Sequence, residues 1–323
     1  MVRPLQENVY SIKKKAGLAY KKLNLHLQTH RIFIFFLTKK MAGKSTYIQY
    51  LMETFPKKFI NLSFGETVRN LQEEICLNKN KAVRKWSREL ITDLEKSSVS
   101  NLLSLPSVKT IFKNLLVDLP PDKSVLFDGI PRKLNQIPLV IKKSHQLGNQ
   151  GYRVIFLEID VANEILDARL ESRRICPKCG FTDNILTPVL ENISFNNKTK
   201  EFYLVCPKCG IPLIRKMGDQ LSPAIYKRRQ EFEKIAKELK KRVCKEQSSK
   251  ITYIRMRTDI PVNKFQENQE SLNLITEYSK DKKGRISAKK KPQTATWQGK
   301  PVYSLNAPTA TARIIQKLAA TIF

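Results

Sequence analysis

A glycine, a lysine and a hydroxyl residue stand together where the sequence could bind phosphate. Gly43, Lys44 and Ser45 follow an apolar run and precede an amphipathic one, so the pattern predicts a strand, a loop and a helix. Backbone N–H groups at such a helix N-terminus bind phosphate, the lysine reaches the outer phosphates and the hydroxyl can ligate Mg²⁺. The phosphate-loop pattern has glycine where Thr38 stands, so a chance match at a strand–helix junction stays open.

Four of the six cysteines lie in two Cys-Pro-Lys-Cys-Gly units. Each unit bends the chain so that both thiolates can reach one ion, and two units complete a closed Cys₄ site. Because a closed site leaves no open position for a substrate, the spacing predicts structural Zn²⁺. Free thiols or a redox pair are the alternative. The remaining Cys76 and Cys244 are interpreted as packing residues. The predicted metal ligands are Cys176, Cys179, Cys206 and Cys209.

The elements that position these residues follow from an alternation of apolar and amphipathic runs. Strands separated by helices imply right-handed crossovers and a parallel sheet covered on both faces. The predicted fold class is therefore α/β, a doubly wound parallel five-stranded sheet, interrupted by the cysteine-containing insertion. Strands are predicted at residues 32–37, 59–62, 124–127, 154–159 and 251–256. Helices are predicted at residues 44–54, 67–76, 82–95, 108–117, 137–147, 162–173, 223–244 and 262–278.

The two ends of the sequence are basic and lack a clean periodicity. Residues 1–30 are interpreted as a basic N-terminal arm, partly helical, with no assigned chemistry. Residues 279–323 are rich in Lys, Thr and Ala, a composition that buries little surface, and are predicted to form a flexible basic tail. The final segment, 312–323, could dock as a short helix.

Two segments beyond the phosphate loop resemble the adenylate kinase family. The run Ser-Phe-Gly-Glu-Thr-Val-Arg at residues 63–69 is similar to the family's S-T-G-D-x-L-R segment. The run Asp-Gly-Ile-Pro-Arg at residues 128–132, with Gln136 four positions later, is similar to its D-G-F-P-R…Q signature. The resemblance extends over about residues 32–278. It implies a P-loop NTPase fold with a helical insertion that binds the nucleoside monophosphate and a zinc-ribbon lid.

Four further arginines extend this resemblance. Arg169 and Arg173 lie one helical turn apart before the cysteine insertion, where the family has an adenine-stacking and a phosphate-binding arginine. Arg215 and Arg228 follow the insertion and look like the family's lid arginines. The sequence departs from the family at Met41, where these kinases usually have glycine. It also keeps only one aspartate, Asp219, where the family has a pair.

The resemblance implies the reaction ATP + AMP ⇌ 2 ADP, with Mg²⁺ as cofactor and ATP and AMP as partners. A glutamine in the signature favours adenine, although another monophosphate stays an alternative. The implied ATP-binding residues are Ala42, Gly43, Lys44, Ser45, Thr46 and Arg169. The implied AMP-binding residues are Phe64, Arg69, Gly129, Arg132 and Gln136. The implied catalytic residues are Lys44, Arg132, Arg173, Arg215 and Arg228, and Asp128 is implied to hold Mg²⁺ through water.

The same resemblance divides the chain. An adenylate kinase-like domain is expected at residues 31–278, with a monophosphate-binding region at about 63–105 and a zinc lid at about 174–217.

The charge balance is unusual, with 59 Lys and Arg against 29 Asp and Glu and a net charge of +30. Such an excess attracts polyanions, so nucleic acid is a candidate partner of the basic surface and of both ends. The alternative function is a degenerate kinase fold that binds nucleic acid. A solvated basic surface is the simpler interpretation.

No run of 18 uncharged apolar residues is present, so we expect no membrane span. The basic N-terminus lacks an apolar core with a cleavage site, so we expect no secretory signal and a cytoplasmic location. We also expect a monomer.

Overall fold

The computed structural model describes residues 2–77, 85–97, 102–188, 192–216, 219–246, 248–265 and 269–323. Fifteen strands and ten α-helices are found in these ranges. The strands are β1 (Arg31–Thr38), β2 (Phe59–Ser63), β3 (Ser124–Asp128), β4 (Tyr152–Asp160), β5 (Arg173–Ile175), β6 (Thr182–Asn184), β7 (Ile193–Asn196), β8 (Glu201–Leu204), β9 (Ile214–Arg215), β10 (Ile251–Arg257), β11 (Asp259–Pro261), β12 (Leu274–Lys280), β13 (Ile286–Pro292), β14 (Thr294–Trp297) and β15 (Lys300–Ser304). The helices are α1 (Val2–Ala16), α2 (Leu18–Thr29), α3 (Lys44–Thr54), α4 (Phe64–Leu77), α5 (Arg88–Lys96), α6 (Leu105–Leu115), α7 (Ile137–Asn149), α8 (Asn163–Ser172), α9 (Pro223–Glu246) and α10 (Ala307–Ile322).

The central sheet has five parallel strands in the order β10-β4-β1-β3-β2. Side chains alternate along β1, so Ile32 and Ile34 enter the core on one face and Phe33 and Phe35 enter the core on the other. All four side chains are fully buried, which is expected when helices cover both faces of a parallel sheet. The predicted doubly wound α/β fold is confirmed.

The two ends of the chain are helical and join the core beneath the sheet. Helices α1 and α2 pack against α10, and Ile12, Leu23, Ile315 and Leu318 are fully buried between them. The Lys15 ammonium donates a 2.6 Å hydrogen bond to the hydroxyl of Thr309 across this contact. The prediction of a flexible tail over residues 279–323 is wrong, because most of these residues form β13, β14, β15 and α10; the helix expected to dock at residues 312–323 corresponds to α10. The N-terminal segment, expected to be a partly helical arm, is helical at residues 2–16 and 18–29 and is docked on the core.

The helix predicted at residues 262–278 is also wrong. Strand β11 pairs with β15, short 3₁₀ turns follow, and β12 begins at Leu274. This segment pairs with strands that lie further along the chain. Hydrophobic periodicity within the segment does not reveal such distant partners. Strand β12 pairs with β13 in an antiparallel hairpin, and β11, β15 and β14 form a small separate sheet.

The cysteine insertion forms its own small unit with two sheets. Strands β6, β5 and β9 form one of them, and the β7–β8 hairpin forms the other. Its apolar cluster contains Leu204 and Leu213 with the buried Cys176 and Cys206, apart from the main core. Residue 217, the predicted end of the lid, lies outside the described residues.

Helices α4, α5 and α6 follow β2 and cover one side of the sheet. Ser87 and Ser104 cap α5 and α6, and each side chain accepts a hydrogen bond from a first-turn N–H group. The predicted helix at 82–95 corresponds to α5, but residues 78–84 and 98–101 lie outside the described part of the chain.

In the described ranges, no helix combines the length and apolarity needed to span a bilayer.

Candidate active site and metal centre

The phosphate loop turns sharply from β1 into α3. Gly43 has a φ of +89°, and a Cβ at this position would lie 3.2 Å from the ring of the buried Tyr47. Glycine is therefore required here both by the backbone conformation and by the close ring. Helix α3 begins at Lys44, so Ser45 and Thr46 lie in its first turn, with Ala42 buried in the loop before it.

Met41 and Thr38, the two positions where the family usually has glycine, differ in backbone conformation. Met41 adopts a φ of +72°, a conformation that costs about 1–2 kcal/mol for a residue with a side chain. Arg169 donates a 3.2 Å hydrogen bond to the Met41 carbonyl, and Arg173 lies 3.5 Å from its sulfur. Thr38 is the last residue of β1, paired with Ile159, and needs no glycine.

Lys44 and Asp128 form an ion pair where β3 ends beside the loop. The Asp128 side chain is almost fully buried, and its second oxygen has no hydrogen-bond partner within the protein. Burial, followed by repulsion from Arg132 and Arg69, lowers the pKa of Lys44 to about 8. The ammonium therefore lies in an electropositive site in which bound phosphate would relieve the repulsion.

Two arginines converge on the opposite wall of the site, above Gly65. A Cβ on Gly65 would lie 3.3 Å from a terminal nitrogen of Arg132 and 3.8 Å from one of Arg69. Loss of solvation, then Arg228 and Arg69, lowers the pKa of Arg132. Neither guanidinium group forms an ion pair with a residue in the described ranges, and two such groups at this spacing suit a phosphate or carboxylate ligand.

Three of the residues implied to bind AMP have structural roles in this fold. The Phe64 side chain is buried and packs in the core. Gly129 has a φ of +112°, and a Cβ there would lie 2.8 Å from Cβ of Phe64, so it is the start of α4 that requires this glycine. Gln136 is buried and accepts a 2.7 Å hydrogen bond from the backbone N–H of Arg132, which orients that loop.

The remaining arginines lie beside the cysteine unit and within it. Arg173 begins β5 directly after α8 and lies 3.3 Å from Asp219. Arg228, in the second turn of α9, is close enough to Arg132 to lower its pKa. Arg215 lies in the exposed strand β9 beside Arg174, and no described contact joins it to the phosphate loop.

Lys40 is a site residue that the sequence interpretation missed. Its ammonium lies 2.6 Å from the buried carboxylate of Asp219, which links the phosphate loop to the segment after the cysteine unit. The neighbouring Lys39 points elsewhere and contacts Glu233 at 2.6 Å. The run Lys39-Lys40 inside a phosphate loop is a visible signal, but its partners are remote in sequence.

A cleft of about 460 Å³ lies between α3 and α4. Its floor carries the phosphate loop and the end of β3, and its wall carries the two converging arginines. The residues that line it are Lys44, Ser45, Ile48, Gln49, Met52, Glu53, Asn61, Ser63, Gly65, Glu66, Arg69, Asp128 and Arg132.

The four predicted metal ligands form a cluster that can hold a metal ion. The sulfur atoms of Cys176, Cys179, Cys206 and Cys209 all lie within 4.8 Å of one another. Those of Cys179 and Cys206 are 3.6 Å apart, close to the ~3.8 Å that tetrahedral Zn–S bonds require. The two units share one geometry, since the first cysteine of each accepts from the glycine N–H at 3.0 and 2.9 Å. Cys76 and Cys244 are exposed, so the packing role predicted for them is wrong.

Known proteins share much of this sequence. No model of a known protein family matches the chain. The adenylate kinase of Thermoanaerobacter sp. (strain X514) is 32% identical over 203 residues, which cover 61% of this chain and 79% of that protein. The adenylate kinase of Chlamydia pneumoniae is 31% identical over 190 residues, which cover 58% of this chain and 73% of that protein. The chain therefore belongs to the adenylate kinase family and is a nucleoside-monophosphate kinase, a phosphotransferase.

Proposed function

We propose that this enzyme transfers the terminal phosphoryl group of ATP to AMP and forms two molecules of ADP, reversibly and with Mg²⁺. The observation that carries the proposal is the meeting, in one cleft, of a phosphate loop with Arg69 and Arg132 on the facing wall. A donor phosphate chain on one side and an acceptor phosphate on the other would be held in line for transfer.

In this reaction the protein has to position the two nucleotides and to neutralise the charge of their phosphates. Lys44, Ser45 and the loop amides bind the ATP phosphates, and Arg69 and Arg132 bind the phosphate of AMP. An oxygen of that phosphate forms a bond to the γ-phosphorus as the bond to the β–γ bridging oxygen breaks, and the leaving ADP takes the electron pair. Mg²⁺, when bound, neutralises the phosphate oxygens, and Asp128 with its unpaired buried oxygen suits a water ligand of that ion.

Residues 63–105 are proposed as the monophosphate-binding region and residues 174–217 as the lid. Arg173 and Arg228 at the lid base would neutralise charge on the transferred group, and Arg215 would have to move toward the cleft with the closing lid. Zn²⁺ at the four cysteines would keep the small lid folded, because its own apolar cluster is too small to do so. A closed lid excludes water and prevents hydrolysis of ATP.

The test is a kinase assay in which purified protein with Mg-ATP receives AMP, CMP, GMP or UMP in turn. AMP is expected to give ADP at the highest kcat/KM. A preference for another monophosphate would overturn the AMP assignment and leave the kinase intact. This outcome matters because Phe64 and Gln136, both implied to bind AMP, are buried in the protein. Absence of product with all four would refute phosphoryl transfer.

Binding of Mg-ATP is expected to weaken as the pH rises through 8. The pKa of Lys44 is lowered to about 8, so its ammonium loses charge above that pH, while free lysine stays charged beyond pH 10. If phosphate binds only the charged form, the apparent Kd increases roughly tenfold by pH 9. Calorimetric titrations at pH 7, 8 and 9 should also show proton uptake on binding. A Kd that is constant across this range would contradict the assignment.

The lowered pKa of Lys44 also makes the free energy of unfolding depend on pH. Because the folded-state pKa of Lys44 is below its unfolded value, charged Lys44 opposes folding below pH 8, and this penalty is relieved as the pH rises from about 8 toward the unfolded value.

A further inference from the structure

Two hairpins that are remote in sequence meet at the outer end of the lid. The β7–β8 hairpin belongs to the cysteine unit, and the β12–β13 hairpin comes from the segment after the central sheet. The rings of Phe202 and Tyr278 lie 5.6 Å apart. Lys280 places its ammonium 4.4 Å from the ring centre of Phe195 and donates a 2.7 Å hydrogen bond to the Asn197 side chain. These contacts hold the two turns side by side.

The β12–β13 hairpin is also anchored at its base. The N–H of Gln293 donates a 2.8 Å hydrogen bond to the carbonyl of Asn273, and their side-chain amides form another at 2.8 Å. The N–H of Thr276 donates to the carbonyl of Leu186 in the cysteine unit at 2.7 Å. A Lys-rich segment that would be mobile as a tail is therefore presented in a defined position.

The joined turns concentrate positive charge. We call this patch the paired-hairpin tip and define it as residues 195–202 and 278–285. It carries six basic residues against Glu201 and Asp281. Asp281 pairs with Arg285 at 2.8 Å, and Lys280 is used in the contact between hairpins. The other four basic residues are exposed and form no ion pair with any described residue: Lys198, Lys200, Lys282 and Lys283.

We propose that the paired-hairpin tip binds single-stranded nucleic acid. Four exposed lysines on two turns that contact each other match a phosphate chain, and release of its counterions supplies affinity. Phe195, Phe202 and Tyr278 are half-buried in the same patch, so the exposed part of each ring is available to an unpaired base. None of the tip residues lines the 460 Å³ cleft, so the surface is separate from the phosphoryl-transfer site.

The partner is a flexible strand, because the tip is a small projection and not a groove. A single strand can bend around a projection and turn its bases toward the rings, whereas a duplex keeps its bases stacked inside. An anionic membrane surface would also attract the four lysines. It would gain little from the rings, because they are half-buried by contacts with one another and with Lys280 and cannot insert into a bilayer, whereas their exposed parts can still contact an unpaired base.

The test is fluorescence anisotropy with a fluorescein-labelled 15-nucleotide oligouridylate and the full-length protein. The variant K198Q/K200N/K282Q/K283Q removes the four charges, and asparagine at 200 retains a residue that tolerates the positive φ of +58° there. The matched control K109Q/K113Q/K237Q/K241Q removes four exposed lysines on α6 and α9. Tip substitution is expected to weaken binding at least tenfold and to flatten the dependence of log K on log salt by about 2 to 3, at ~0.7 for each lost contact.

Control substitutions are expected to leave the RNA affinity within threefold of wild type. The double variant K282Q/K283Q, which changes only one turn, is expected to fall between the control and the full tip variant. Equal weakening by tip and control substitutions would mean that net charge alone binds RNA and would overturn the proposal. So would lysine-dependent binding to phosphatidylserine vesicles without binding to the oligonucleotide. ADP formation is measured in parallel, so a failure here is distinguishable from a failure of the kinase assignment.

Discussion

Replacing Lys44 by alanine is expected to lower kcat/KM for ADP formation by at least about a hundredfold. The ammonium lies in a cleft where burial and two arginines already depress its pKa, so water screens its interaction with phosphate poorly. A preorganised cation that acts on developing phosphate charge contributes about 3–4 kcal/mol, which corresponds to a rate factor of 10² to 10³. Coupled spectrophotometric assays over a range of Mg-ATP and AMP concentrations measure the loss.

The loss should not come from unfolding. Alanine leaves Asp128 without its ion-pair partner, but it also removes a partly buried charge that Arg132 and Arg69 repel, and these effects oppose one another. The free energy of unfolding is expected to change by less than about 2 kcal/mol. Lys113→Ala, at an exposed position on α6, is the matched control and should retain full activity. A Lys44→Ala enzyme within threefold of wild type would refute the role given to the phosphate loop.

The central sheet could be predicted from sequence because its information is local. Each strand is a short apolar run between amphipathic runs, and β1 places buried residues on both faces without interruption. The cysteine cluster could be predicted for the same reason, since the ligand spacing within each unit fixes how two sulfurs meet. In both cases the residues that define the feature are neighbours in the chain.

The ends of the chain could be predicted only in part, because their order depends on partners almost the whole sequence away. Lys15 contacts Thr309, and α1 packs on α10. Neither segment has enough apolar surface to fold alone, so composition favours disorder until the partner is known. The β12–β13 hairpin is a second case, since the sequence has no local signal that Tyr278 meets Phe202 in the lid.

Within the candidate site, sequence motifs located the residues better than they explained them. Gly129 stands where the motif requires glycine, but the structural reason is the approach of Phe64. Met41 lacks the usual glycine and still adopts the positive φ, with Arg169 holding its carbonyl. The Lys40–Asp219 ion pair joins positions remote in sequence, and pattern reasoning cannot pair charges over such a separation.

Replacing Cys206 by serine is expected to release bound Zn²⁺ and to lower ADP formation at least about tenfold while the central sheet stays folded. Cys206 is fully buried in the cysteine unit, whose apolar cluster contains few side chains, so the metal would supply most of that unit's folding free energy. An unfolded lid can neither carry arginines to the phosphates nor exclude water. ATP hydrolysis relative to transfer should therefore increase as transfer falls. Elemental analysis gives the metal content, and assays with and without AMP give both rates.

Cys244→Ser is the matched control for this prediction, because Cys244 is exposed on α9 and lies outside the cluster. It should keep one metal ion per chain and wild-type activity. Chelation of the wild-type enzyme should reproduce the Cys206→Ser result, and added Zn²⁺ should restore activity to the chelated protein but not to the variant. Full activity in a Cys206→Ser protein without metal would show that the lid closes without Zn²⁺. The cysteines would then be placed outside the catalytic cycle.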